Sequence, residues 1–246
     1  MRVVAREECT NPGPPDPTLS PDFATLFEQV RQNAERLRLL VERYPYRSFV
    51  ERTFFDRLRS GESRLVARDT VAYQSDHGWR YKPGRIISTI VERHRREQVM
   101  NLPSFVDVVD SAFLVNHCFR YAGTDTLGGR TLLRVDFYAA KRLREPDVDG
   151  AVYLDTATFQ IRGARFALTR PPRGLRGVEG VMATTIFEEV VPSIPVPAHV
   201  TGTKILRARP GPRAAVSAIE MQTLLEVRFL RELPGSPASS PAPPGA

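Results

Sequence analysis

Hydrophobic and polar residues alternate most regularly between Asp110 and Thr169, and the elements predicted there organise the rest of the chain. Leu133, Val135 and Phe137 alternate with Arg134 and Asp136, the period-2 pattern of a strand with one buried face. Val152–Asp155 and Phe159–Leu168 predict two further strands. The polar turn Thr156-Ala157-Thr158 joins them, with Asp155 placed to accept hydrogen bonds from the amides ahead of it. Along the second strand Phe159 and Ile161 share one parity while Ala164, Phe166 and Leu168 share the other. A bulge at Gly163 would bring both sets onto one face.

Upstream, Thr10–Pro21 is a proline-rich linker, because proline removes backbone donors and disfavours helix in the residue before it. It delivers a helix start: Ser20 suits the N-cap, Pro21 the first helical position and Asp22 the positive end of the dipole. Phe23, Leu26, Phe27, Val30, Ala34, Leu37, Leu40 and Val41 then recur at helical spacing, with Glu28, Arg31, Gln32, Glu35, Arg38 and Glu42 on the other side. This predicts an amphipathic helix of about six turns that ends before Pro45 and packs on the sheet. Tyr46–Phe55 and Arg64–Ser75 read as a hairpin turning at Arg59-Ser60-Gly61-Glu62, with Leu65, Ala67, Val71 and Tyr73 on one face. Trp79, the only tryptophan, sits in the loop that follows and is expected to fold back on the sheet.

Arg85–Met100 fits a helix or an irregular strand, with residues 92–97 a solvated charge run; Pro103–Val109 and a turn capped by Asp110 read as helical. Met182–Val190 and His199–Arg207 predict strands separated by a segment containing Pro192, Pro195 and Pro197. Met221, Thr223, Leu225, Val227 and Phe229 alternate as a last strand. The chain thus divides into a strand remnant and linker (1–21), one helix-plus-sheet domain (22–233) and a Pro/Ser/Ala tail expected to be disordered (234–246). The fold class is α+β, an N-terminal amphipathic helix packed on a large curved antiparallel sheet, half-barrel-like.

At 246 residues the chain can bury a sizeable core. Its net charge of +7 and pI near 9.8 would suit a nucleic-acid or anionic-membrane partner. However, all but three of the 35 basic residues are arginine, which points to coding composition, and they are interleaved with acids rather than gathered beside exposed aromatics. No nucleic-acid partner is expected. No apolar run approaches the ~20 residues of a membrane span. No signal peptide is evident at the start, which taken literally means cytoplasm, yet Arg2-Val3-Val4-Ala5-Arg6 looks like the end of a strand begun upstream. Cys9 and Cys118 leave two readings open: two buried thiols of a reducing cell, or a disulfide tying the N-terminal segment to the central sheet. Closing so long a loop would stabilise the fold by roughly 4 to 5 kcal/mol in the chain-entropy model.

No catalytic constellation emerges. His77, His94, His117 and His199 lie in separate segments without metal-ligand spacing, and no phosphate loop, dinucleotide fingerprint or nucleophile elbow is present, so no metal or cofactor is expected. Asp125, Asp136, Asp147 and Asp149 read as turn-associated carboxylates. His117 and Cys118, adjacent on a strand, point to opposite faces and cannot form a thiol–imidazole pair. An enzyme would require a cleft gathering Asp or Glu with His117 or His199.

The segments D-S-A-F-L-V-N-H-C-F-R-Y-A-G (from Asp110), G-R-T-L-L-R-V-D-F and D-V-D-G-A-V-Y-L-D-T-A-T-F-Q-I-R resemble the C-terminal region of bacterial carboxypeptidase regulatory-like domain-containing proteins. That resemblance, covering roughly Cys9 to Arg207, implies that residues 2–7 are the last strand of a missing sandwich domain, that Cys9 and Cys118 pair, and that the protein is exported. A weaker, architectural likeness is to the lipoprotein-carrier LolA/LolB-like fold, where an amphipathic helix precedes strands curving around an apolar cavity; Tyr153–Thr158 matches a turn typical there. The expectation is a non-enzymatic domain of the bacterial envelope, periplasmic or extracellular if an upstream signal peptide is missing from this chain and cytoplasmic otherwise. Its curved sheet, lined by Phe137, Tyr153, Phe166 and Phe229, would bind a lipid, another apolar ligand or an envelope protein partner, unless the helix fills its own sheet.

Overall fold

The computed structural model describes residues 8–75, 79–92, 95–171, 177–207 and 210–233, with the side chains of 89–98 left aside. The predicted strand remnant at 2–7, His77, His94 and the tail at 234–246 lie outside the described residues.

The N-terminal helix α1 (Pro21–Arg43) forms where the apolar spacing requires it, burying Phe27, Val30 and Ala34. Its solvent side is laced by Arg31–Glu28 and by Arg38 with Glu35 and Glu42. Ser20 occupies the N-cap position but its side chain makes no capping bond. The entry turn is held instead by Asp16, which accepts from the Thr18 amide and hydroxyl. Tyr44 donates to the Leu40 carbonyl and Pro45 stops the helix.

Eleven strands follow among the described residues: β1 (Tyr46–Leu58), β2 (Ser63–Gln74), β3 (Ile87–Glu92), β4 (Arg95–Met100), β5 (His117–Leu127), β6 (Arg130–Ala139), β7 (Val148–Leu154), β8 (Ile161–Leu168), β9 (Val178–Val191), β10 (Ile194–Leu206) and β11 (Ala215–Phe229). Nine of them form one curved antiparallel sheet in the order β2-β1-β11-β10-β9-β8-β7-β6-β5, which does not close into a barrel. Within the ambiguous Arg85–Met100 stretch, β3 and β4 pair antiparallel as a separate two-stranded sheet. Two one-turn helices, α2 (Phe105–Val108) and α3 (Ser111–Leu114), precede β5, capped by Ser104 and Asp110.

The core lies between α1, α2, α3 and one face of β5–β9, where Val30, Ala34, Phe105, Val108 and Phe113 meet Val135, Phe137, Val152, Leu154, Ile161, Ala164 and Phe166. Trp79 folds back against it. The bulge expected near Gly163 is present. The register shifts between Tyr153 and Leu154, leaving Arg162 as the extra residue, so Ile161, Ala164 and Phe166 share the helix-bearing face. The strand starts at Ile161 rather than Phe159, which sits in the preceding turn with φ of 54°. Gly150 and Gly163 let strands and side chains approach closely: a Cβ on Gly150 would meet the Arg165 carbonyl and lie 2.6 Å from Phe137 Cζ, and one on Gly163 would run into Leu127.

Three readings are corrected. Leu65 does not share a face with Ala67, Val71 and Tyr73: Val66 is an extra residue in β2, and the resulting bulge turns Leu65 to the opposite side. Leu225 is likewise extra in β11, so Met221 and Thr223 face away from the helix while Val227 and Phe229 face toward it. Pro195 and Pro197 do not separate two strands; they lie inside β10, where the register is irregular and β11 has not yet begun to pair.

Cys9 and Cys118 form a disulfide, Cα to Cα 5.5 Å, across 109 residues. The segment around Cys9 adds backbone bonds along the β5–β6 end, from the Lys141 amide to the Cys9 carbonyl and from the Gly13 amide to the His117 carbonyl. No described helix is long and apolar enough to cross a membrane.

Candidate functional site

The four aromatic positions expected to line a ligand surface are placed in three different environments. Phe137 and Phe166 face α1 and are buried, their rings 5.7 Å apart, with Phe113 5.4 Å from Phe137. Both are filled core. Tyr153 lies on the other face of the sheet, buried with Leu127, Leu132 and Ala151. Its hydroxyl donates to Asp125 at 3.3 Å, Arg165 stacks 5.2 Å from its ring, and burial raises its phenol above the ordinary range. Phe229 alone lies on the half-buried part of the helix-bearing face, its ring 5.9 Å from that of Tyr46.

That part is the wing formed by β2, β1 and β11. Cross-strand partners share a face, so the register defines its surface: Tyr46 beside Phe229, Tyr73 and Val227 on either side of Ser48, Val71 and Leu224 on either side of Val50. Val50 is buried at the centre, whereas Tyr46, Val71, Leu224, Val227 and Phe229 are half-buried and Tyr73 is 44% exposed. Burial pushes the Tyr46 phenol up to about 12 and raises that of Tyr73. The next row is polar: Arg52 grips Asp69 through two bonds of 2.8 and 2.6 Å, with Gln222 on its other side. This pair bounds the apolar surface, and Arg52 holds the Asp69 carboxyl below its ordinary range. Sequence reading missed Tyr46, Leu224 and Val227 as a group, because the bulge at Leu225 hides which side of β11 they share.

One carboxylate–imidazole convergence does exist. Asp147 and His117, both fully buried, approach to 3.5 Å, and the Tyr81 hydroxyl donates to Asp147 at 2.8 Å. Burial first, and then the Asp147 charge, raises the Tyr81 phenol. The His117 ring nitrogens lie 2.9 Å from the Phe113 carbonyl and 3.0 Å from that of Val148, and Phe113 stacks on the ring at 3.7 Å. Asp147 also accepts from the Val148 and Gly84 amides. Both groups are fully buried in the core, so the cluster staples the β5 and β7 starts to the Tyr81 loop rather than opening to solvent. His117 and Cys118 do point to opposite faces, one into this core and the other to Cys9.

A cavity of about 140 Å³ lies beside the disulfide, between Cys9, Ala140, Lys141 and Arg170. It is below the ~300 Å³ at which small-molecule pockets begin. Among the described residues no three His, Cys, Asp or Glu side chains gather as a metal site.

No family model and no curated protein matches the chain. Solved structures similar to it include a DUF1329 family protein from Desulfovibrio piger, with TM-score 0.43, 10% identity, and 85% of this chain and 95% of that one covered. A putative outer membrane lipoprotein-sorting protein domain from Vibrio parahaemolyticus has TM-score 0.43, 9% identity, and coverage of 84% and 94%. A LolA superfamily protein from Nitrosomonas europaea has TM-score 0.40, 10% identity, and coverage of 84% and 94%. Two of these names match the architectural likeness to lipoprotein carriers, and none supports the carboxypeptidase regulatory-like resemblance. At these TM-scores the likeness carries no functional argument.

Proposed function

We propose that this chain is a non-enzymatic, disulfide-tied domain of the bacterial cell envelope that binds an apolar ligand, a lipid chain foremost, on the helix-bearing face of the β2-β1-β11 wing. The observation that carries this reading is the surface of Tyr46, Val71, Tyr73, Leu224, Val227 and Phe229, which continues the core face past the sealed region and stays half-open to solvent. An acyl chain laid on it would gain about 25 cal/mol for each Å² of apolar area removed from water. The two tyrosine hydroxyls and the Arg52–Asp69 pair offer polar contacts at its margin. The disulfide supports an oxidising compartment, periplasmic or extracellular.

Titration with a naturally fluorescent fatty acid tests it. Saturable binding is expected, weakened at least tenfold by Phe229→Asp and Tyr73→Asp and unaffected by Glu42→Gln on the outer side of α1. Binding unchanged in both wing variants would sink the reading. A second reading, an envelope protein partner, is favoured by one observation: among the described residues the outer edge of β2 pairs with no strand, so an extended segment could add there. Proline at an outward-facing β2 position would block such addition and leave fatty-acid binding intact.

A further inference from the structure

The opposite face of the same wing carries a second apolar surface, which sequence alternation does not reveal. Because of the Val66 bulge, Leu65 stands on the face away from α1 and begins a lateral row through successive strands: Leu65 beside Phe55, then Ile219, Thr203 and Met182. Five strands at about 4.8 Å spacing make this row about 19 Å long. Met221 flanks it on the same face, in the adjoining row, and the bulge residue Val66 adjoins it. Leu65 and Val66 are each 58% exposed, Met221 46% and Met182 45%. In an antiparallel sheet with one face on the core, the other normally carries polar side chains. Large exposed apolar patches mark contact surfaces, and methionine suits one that must fit a deformable partner.

The charges around the row select the partner. Arg57 stands one row closer to the strand ends on the same face, exposed. Arg59 lies in the turn between β1 and β2 and Arg213 in the loop between β10 and β11, both exposed and both at that same end of the sheet. None of the three has a side-chain hydrogen bond or ion pair among the described residues. Arg207 joins them, with Glu179 3.7 Å away. Glu62 is the acid in the turn beside them. Toward the other end of the face Arg68 pairs with Glu51 and Arg228 with Glu226, while Arg47, opposite Arg228, is exposed. A second copy of the chain would bring a second set of the same unpaired arginines. An anionic phospholipid bilayer instead supplies negative headgroups to the arginine rim and a hydrocarbon boundary to the Leu65–Met182 row.

We propose that the face of the wing turned away from α1 docks reversibly on an anionic phospholipid membrane, through Leu65, Val66, Met182 and Met221 with Arg57, Arg59 and Arg213 at the headgroups. The docking face is opposite the ligand face, so vesicle binding and fatty-acid binding can fail independently.

The test is co-sedimentation of the full, disulfide-intact chain with phosphatidylcholine vesicles, with and without phosphatidylglycerol. Binding is expected only to the phosphatidylglycerol vesicles, weakening with salt and by about fivefold for each of Arg57→Gln, Arg59→Gln and Arg213→Gln. The combined Leu65→Ser, Met182→Ser, Met221→Ser variant should lose at least tenfold while retaining the wild-type circular dichroism spectrum. A measurement on the wild type removes any dependence on that variant's folding: peroxide oxidation of Met182 and Met221 should slow severalfold on phosphatidylglycerol vesicles and stay unchanged on phosphatidylcholine. No sedimentation with anionic vesicles, undiminished oxidation of both methionines, or a wild-type dimer that the triple variant converts to monomer would each overturn the proposal.

Discussion

Replacing Phe137 and Phe229 by alanine in turn separates core from ligand surface. Phe137 is fully enclosed by Phe113, His117 and Phe166, so Phe137→Ala should cost about 3 to 5 kcal/mol in urea unfolding. Phe229→Ala, at a half-buried position, should cost less than about half of that while weakening fatty-acid binding. Equal losses of stability would mean that the wing is packed as tightly as the core. Asp155 is a second residue with a defined task. It accepts from the Thr158 and Ala157 amides and the Thr158 hydroxyl, and these bonds, the Thr158 amide first, hold its carboxyl below the ordinary range. A depressed native value contributes stability above the unfolded value of about 4 that is lost as pH falls through the native one. Asp155→Ala should therefore cost about 1 kcal/mol near neutral pH, with the gap to wild type narrowing as pH falls through the depressed native value. Tyr46 runs the other way. Its phenol is pushed up to about 12 by burial, so its stabilising contribution is whole below pH ~10 and lost as pH climbs through the native value. Tyr46→Phe should delete an ultraviolet titration step near pH 12; a deleted step at an ordinary phenol value would contradict its burial.

At the scale of elements, the helix and most of the strands were legible because their periodicity is local. Ser20, Pro21 and Pro45 bracket α1, and Gly163 announces the β8 bulge. The bulges at Val66 and Leu225 were not legible. Neither has a glycine, and each leaves the apolar alternation superficially unbroken while moving half of its strand to the other face. For the same reason the candidate site was only partly readable: Phe229 was named, but its companions Tyr46, Tyr73 and Leu224 depend on a register that no single strand encodes. The disulfide belongs to this scale as well. Reduction, or Cys118→Ser, should lower unfolding free energy by roughly 2 to 5 kcal/mol, since it releases a loop spanning 109 residues. Urea melts with and without reductant measure this, and coincident curves would show that the Cys9 segment adds nothing to the fold.

The whole molecule is a sheet only half used by its own core. β5–β9 are sealed by three helices, whereas β11 returns across the chain to pair with β1, extending a wing that has apolar positions on both faces. That return is non-local, set by the pairing of Tyr46–Leu58 with Ala215–Phe229, and could not be read from either strand alone. A wing of this kind has a reason to exist if something lies on it. Native mass spectrometry of the protein isolated from a bacterial periplasm without detergent asks this most directly. The expected result is an added mass of lipid size, lost on denaturation and absent from Phe229→Asp; the bare polypeptide mass in wild type, unchanged after incubation with phospholipid or fatty acid, would contradict a lipid-binding wing.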